Sequence, residues 1–255
     1  MVNRACTTPS VLLVQIQYDP LLDLSEPPAS FQALLRRNGF PLMHRLKGEV
    51  LQYSVTGMVD IVDTVQWMFA SPSYQKSFVL DSETLTLQVF DQERYSIADL
   101  VPEYLTYLHH FEPLLGPIYI KRAGVRSAGN APVVAHLIQG PFFEQLFVPS
   151  AKGAEERAFS FSALQETRLQ SLGEKGTMQM RMSGNAFNTM YPVDIVRNPS
   201  EGAEGRDGTH SGYLLDLDHS VGIPHLPLSK MQEDLESVLC ELYSEIEKIS
   251  NRMTV

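Results

Sequence analysis

Two short stretches hold the side chains best placed to do chemistry. In Arg122-x-Gly124-x-Arg126, the two-residue spacing of an extended segment puts both guanidinium groups on one face and Ala123 and Val125 on the other. In Leu214-Leu215-Asp216-Leu217-Asp218-His219, the same rule puts Asp216 and Asp218 together, opposite Leu215, Leu217 and His219. Two arginines over a glycine describe an anion site. Planar guanidinium forks grip carboxylate or phosphate, and the missing side chain leaves room for it. The same four charges also describe a ladder, in which two arginines and two aspartates on neighbouring strands satisfy one another. A hard cation could share the two carboxylates. His219 falls on the other face, however, and no third ligand follows at a chelating spacing, so the sequence implies neither a metal nor a cofactor.

A second candidate surface is acidic. The C-terminal region from Leu228 to Arg252 has helical periodicity, with Leu235, Val238, Leu239, Leu242, Ile246 and Ile249 on one stripe. Glu241 and Glu245, with further carboxylates, lie off that stripe. Such a face is either simply solvated or attracts a basic protein partner in a salt-dependent way. The other histidines have no placed partner. His109 and His110 are adjacent on a predicted helix and point about 100° apart, which rules out their chelating one ion. His210 falls in a predicted loop and His225 between prolines. No nucleophile elbow, phosphate-binding loop, dinucleotide fingerprint or zinc spacing is present.

Composition narrows the classes further. The chain has 255 residues, 44% of them hydrophobic, enough for a substantial core. Its net charge of −10 argues against general nucleic-acid binding, which needs a basic face. The two cysteines, Cys6 and Cys240, fit a reducing compartment better than a disulfide framework, and Cys240 is expected in the core. The apolar run at residues 11–16 is too short to span a membrane, so a cytoplasmic protein is expected.

The elements that must position these residues can be read in order. Strands are predicted at Val11–Tyr18, Glu49–Val55, Thr64–Ala70, Lys76–Leu80 and Thr84–Phe90. In the last of these, Leu85, Leu87 and Val89 alternate with Thr86 and Gln88, which predicts a wetter second face. A short helix, capped by Ser30 and stopped at Asn38-Gly39, interrupts the series. Ser96, followed three residues later by Asp99, starts a long helix to Leu115. The chain then repeats the succession. It has a strand at Ile118–Ser127, a short helix at Pro141–Phe147 and a strand at Phe159–Leu172. A turn at Glu174-Lys175-Gly176 leads to a strand at Thr177–Ser183 with Met178, Met180 and Met182 on one face. A Gly- and Ser-rich loop at Pro199–Ser211, a strand at Tyr213–Ser220 and the terminal helix complete it. The expected fold is α+β with two pseudo-repeated halves, 1–116 and 117–255. Each is a mostly antiparallel sheet with one long helix packed on it, the two together forming one compact unit.

The opening strand Pro9–Tyr18, Leu85-Thr86-Leu87 followed by Tyr95, the R-x-G-x-R strand and Leu214-Leu215-Asp216-Leu217-Asp218 before a long final helix form a pattern. It resembles an uncharacterised, sporadically distributed bacterial family of about this length. The resemblance covers nearly the whole chain and departs at Ser127, where that family carries an aromatic residue. It implies a fold and, through the patchy occurrence of its members, an association with mobile or defence-linked genes. The expectation is a non-enzymatic protein-binding or regulatory protein, an accessory of a bacterial defence or stress operon. The alternative is an enzyme or ligand sensor with an anion-binding pocket between the halves, built on Arg122, Arg126, Asp216 and Asp218.

Overall fold

The computed structural model describes residues 9–21, 26–53, 59–90, 95–130, 159–189, 195 and 210–253. The elements are β1 (Pro9–Tyr18), α1 (Ala29–Arg37), β2 (Leu42–Tyr53), β3 (Val59–Ala70), β4 (Lys76–Leu80), β5 (Thr84–Val89) and α2 (Ile97–Leu115). They continue with β6 (Tyr119–Asn130), β7 (Phe159–Arg168), β8 (Lys175–Thr189), β9 (His210–Pro227) and α3 (Leu228–Met253). The nine strands of the described residues join one antiparallel sheet in the order β2-β3-β4-β5-β1-β6-β9-β8-β7. The fold is therefore mixed α/β, with a large antiparallel sheet and few helices. Among the described residues no helix is long and apolar enough to cross a membrane.

One face of the sheet carries the core. Val14, Ile16 and Tyr18 of β1, Leu85 and Leu87 of β5, Val125 of β6 and Leu217 of β9 all lie in a single apolar cluster with residues of α1, α2 and α3. Alternation explains the choice of residues: every second side chain of each strand faces the helices. Phe31 of α1 and Phe111 of α2 meet with ring centroids 4.7 Å apart, and Tyr18 closes on Phe111 at 6.3 Å. Burying an aromatic ring of this kind stabilises the fold by about 1.5–3 kcal/mol. Tyr104 does more than fill space. Its hydroxyl accepts the Ile16 N–H at 3.0 Å and donates to the Leu85 carbonyl at 2.7 Å, locking α2 to β1 and β5. Burial drives this hydroxyl well above its ordinary pKa, which keeps the donated proton in place.

The helix ends follow local chemistry in one case and depart from it in another. Ser96 and Asp99 form the predicted capping box, each side chain answering the other's backbone N–H. Gly116, with φ 87°, ends the same helix. Ser30 does not cap α1. The helix begins at Ala29 because Pro28, fixed at φ −56°, takes the N-cap position and its carbonyl accepts the Gln32 N–H at 3.0 Å. Asn38 and Gly39 stop α1 as expected, with Gly39 at φ 97°.

Several strands outrun their predicted limits. β2 starts at Leu42 rather than Glu49, because it is the sheet's edge and can carry the exposed Arg45 and Lys47 while pairing β3 on one side only. β9 runs from His210 to Pro227, so His210 belongs to a strand rather than a loop. The β7–β8 turn lies earlier than predicted. β7 ends at Arg168, and Gly173 supplies the left-handed backbone (φ 69°), so Lys175 and Gly176 already pair in β8. Thr86 and Gln88 are buried rather than wet, since neighbours on the same face cover them: Gln15 donates to Thr86, and Gln88 to Ser77. Cys240 is half-buried at the margin of the core. Met178 and Met182 are buried in the core cluster, with Met180 at its border. The predicted helix at Pro141–Phe147, Cys6 and nearly all of the loop at Pro199–Ser211 lie outside the described residues.

Candidate functional site

The face of the sheet away from the helices is polar. At its centre β1 and β6 run side by side, with Leu13 opposite Arg126, Gln15 opposite Gly124 and Gln17 opposite Arg122. β9 follows on the far side of β6, placing Ser220 opposite Gly124 and Asp218 opposite Arg126. β8 comes next, with Arg181 opposite Asp216. Together with β3, β4 and β5 these strands shape a concavity of about 350 Å³. Arg122, Arg126, Arg181 and Asp218 line one side of it, and Gln15, Gln17, Gln66 and Thr86 line the other. Leu13, which also lines it, packs in a small apolar cluster with Val11, Ala128 and Ile195.

The four residues singled out in the sequence do share this face, but they do not pair one to one. Arg126 reaches diagonally past Asp218 to Asp216 and grips it with two bonds, Nε to Oδ1 at 2.7 Å and Nη2 to Oδ2 at 2.9 Å. Side-chain exposures of 11% for Arg126 and 3% for Asp216 make this a buried, bidentate pair. Arg122 leans the same way along the strand. It thereby meets a hydroxyl rather than a carboxylate, donating to Ser220 Oγ at 2.7 Å with Asp218 only at 3.7 Å. Its side chain is 42% exposed. The common diagonal offset therefore uses up one arginine and leaves the other loosely held.

The structure adds a residue that the sequence reading passed over. Arg181 of β8, 41% exposed, approaches Asp216 Oδ2 at 3.4 Å and donates to Gln179 Oε1 at 2.6 Å. The sequence did contain a signal. Arg181 and Gln179 alternate with Met178, Met180 and Met182, so a buried methionine face required an arginine on the opposite one. Gly124 lines the concavity and also serves the close approach of β6 and β9, since a Cβ there would stand 3.3 Å from the Ser220 Cβ.

His219 lies on the helix side, as its parity requires. Its Nδ1–H donates to the Leu242 carbonyl of α3 at 2.8 Å, which leaves Nε2 to accept the Thr167 hydroxyl at 2.7 Å. Gly176 makes space for this contact, since a Cβ would come within 2.7 Å of Thr167 Oγ1 and 3.0 Å of His219 Nε2. Burial lowers the imidazole pKa and outweighs the raising effects of the Leu242 carbonyl and of Glu245, Asp218 and Glu241. No group of three His, Cys, Asp or Glu among the described residues could hold a metal ion.

The acidic candidates on α3 have local partners. Glu241 accepts hydrogen bonds from the Gln170 N–H at 2.6 Å, the Ser171 N–H at 3.0 Å and the Ser171 hydroxyl at 2.7 Å. Burial would raise its pKa, but these bonds and the charge of Lys248 win and hold it below the ordinary value. Glu241 thus fastens α3 to the β7–β8 turn. Glu245 receives Lys248 Nζ at 2.5 Å on the helix surface.

Set against known proteins, the chain matches none of the protein-family models, and no curated protein matches it.

Proposed function

We propose that the chain is a non-enzymatic, cytosolic binding protein of regulatory type, and that it takes an anionic ligand on the open face of its sheet. The observation that carries this reading is the pair of half-exposed arginine side chains, Arg122 and Arg181, lining one concavity in a chain of net charge −10. Their carboxylate partners stand at 3.7 and 3.4 Å, loose enough for a ligand anion to compete. Asp216 serves as a buried counter-ion, and the nearest histidine on β9 faces the helices, so neither is placed as a base toward the concavity.

The architecture supports the same reading. We take the chain as two pseudo-repeated halves. In each, the first strand (β1 or β6) pairs with the strand that closes the half (β5 or β9), further strands extend outward, and a long helix follows. The two first strands then form the seam, and the concavity lies over it with amides from one half and arginines from the other. A protein partner could act through the occupied or empty state of this site, in keeping with a regulatory accessory.

Native mass spectrometry of the protein recovered from its own host at low salt tests the proposal. A bound small anion that is lost in Arg122→Ala and Arg181→Ala supports it. A protein partner retained by both variants but lost in Glu245→Lys would replace it with recognition through α3.

A further inference from the structure

We infer that the ligand is a small polyhydroxylated anion, a sugar phosphate or sugar acid, with its charged group toward Arg122 and Arg181 and its hydroxyl groups over the glutamines of β1 and β3. This rests on the anion-binding reading above and adds the chemistry of the opposite wall.

That wall offers acceptors. Gln66 Nε2 donates to Asp81 Oδ2 at 3.2 Å, and Gln17 Nε2 donates to Glu83 Oε2 at 3.4 Å. A carboxylate can only accept, so both amides are fixed with their nitrogens turned to the acids and their carbonyl oxygens remaining. Gln15 Nε2 likewise donates to Thr86 Oγ1 at 2.8 Å. None of the three carbonyl oxygens has a hydrogen bond among the described residues. A ligand filling this space therefore meets hydrogen-bond acceptors on one side and positive charge on the other.

Asp81 lines the concavity as well, but its oxygens already accept from the Glu83 and Thr84 N–H groups, the Thr84 hydroxyl and Gln66. Its oxygens are thus taken up within the chain, and Asp218, the other carboxylate of the lining, stands beside Arg122 at 3.7 Å. Of the described lining residues only Leu13, Val79 and Val125 are apolar and none is aromatic, so these walls offer a planar ring no aromatic surface to stack on. The volume, about 350 Å³, suits a ligand of this size.

The test is isothermal titration of the full chain with glucose 6-phosphate, glucuronate, glucose, inorganic phosphate and phenyl phosphate. Glucose 6-phosphate or glucuronate should bind at least about tenfold more tightly than inorganic phosphate and phenyl phosphate, and glucose should be weakest. Which of the two binds better identifies phosphate or carboxylate as the charged group. Arg122→Gln should weaken the sugar anion by about tenfold or more. Gln17→Leu should weaken the sugar anion and leave inorganic phosphate unchanged. Phenyl phosphate binding as tightly as glucose 6-phosphate would overturn the polyhydroxyl assignment and leave the anion site standing. Absence of binding by all four anions, with the chain folded by circular dichroism, would overturn both.

Discussion

The two faces of the sheet use the same strands in opposite ways. Toward the helices, Ile16, Tyr18, Leu87 and Leu217 build a continuous apolar layer, and the Tyr104 hydroxyl within it makes both its hydrogen bonds. Toward the concavity the neighbours of those residues are amides, hydroxyls and guanidinium groups, some locked and some loose. The helix side has one arrangement, set by close packing. The open side holds a buried ion pair, Arg126–Asp216, next to an exposed arginine with a distant counter-charge. Stability should therefore concentrate on the first face and in that one pair, and ligand response in the loose charges.

The contrast can be broken most severely at its two anchors. Phe111→Ala should cost about 3–5 kcal/mol in urea unfolding, since it empties the space between Tyr18 and Phe31. Asp216→Ala should cost a similar amount, about 3–5 kcal/mol, because it strands the buried Arg126 guanidinium without its carboxylate. If Asp216→Ala proves as mild as a surface change, the pair is not structural and the open face is looser than its geometry.

Tyr104→Phe should follow at about 1–3 kcal/mol, the cost of leaving the Ile16 N–H and Leu85 carbonyl without their bridging hydroxyl. Asp218→Ala should change stability by less than about 1 kcal/mol, since its arginine partner is exposed and 3.7 Å away. The gap between the two aspartates, measured side by side, is the sharpest numerical form of the comparison.

The smallest expected effect is a pH slope. His219 is held neutral in the fold, with a pKa below the ordinary 6.5. The unfolded chain then binds more protons, so this contribution is complete above pH 6.5 and is lost as pH falls from there toward the folded-state pKa. Melting temperature should decline from pH 7.5 to 5.5. His219→Asn, which can still donate to the Leu242 carbonyl, should flatten that decline. Glu241, with its pKa held below 4.5, loses its contribution only at lower pH, so the two windows separate.

Particular residues show how far local pattern reached. The capping box at Ser96 and Asp99, the stripes of α2 and α3 and the parity of His219 against Asp216 are all local consequences of period 3.6 or period 2, and the sequence contained them. Ser30 failed as a cap because a preceding proline offered a pre-set backbone, a competition that single-residue preference does not resolve. Glu241, read as a free surface charge, is tied to a turn 70 residues earlier in the chain.

By itself, then, the sequence determined which side chains share a face of each strand and helix, because that depends only on backbone geometry along the chain. It could not determine that β1 lies beside β6, that each arginine of β6 leans two residues along β9, or that Arg181 joins them from β8. Strand order and diagonal offset arise from long-range backbone pairing and the twist of a nine-stranded sheet. Tertiary structure alone therefore decided that Arg126 would be locked to Asp216 and Arg122 left exposed.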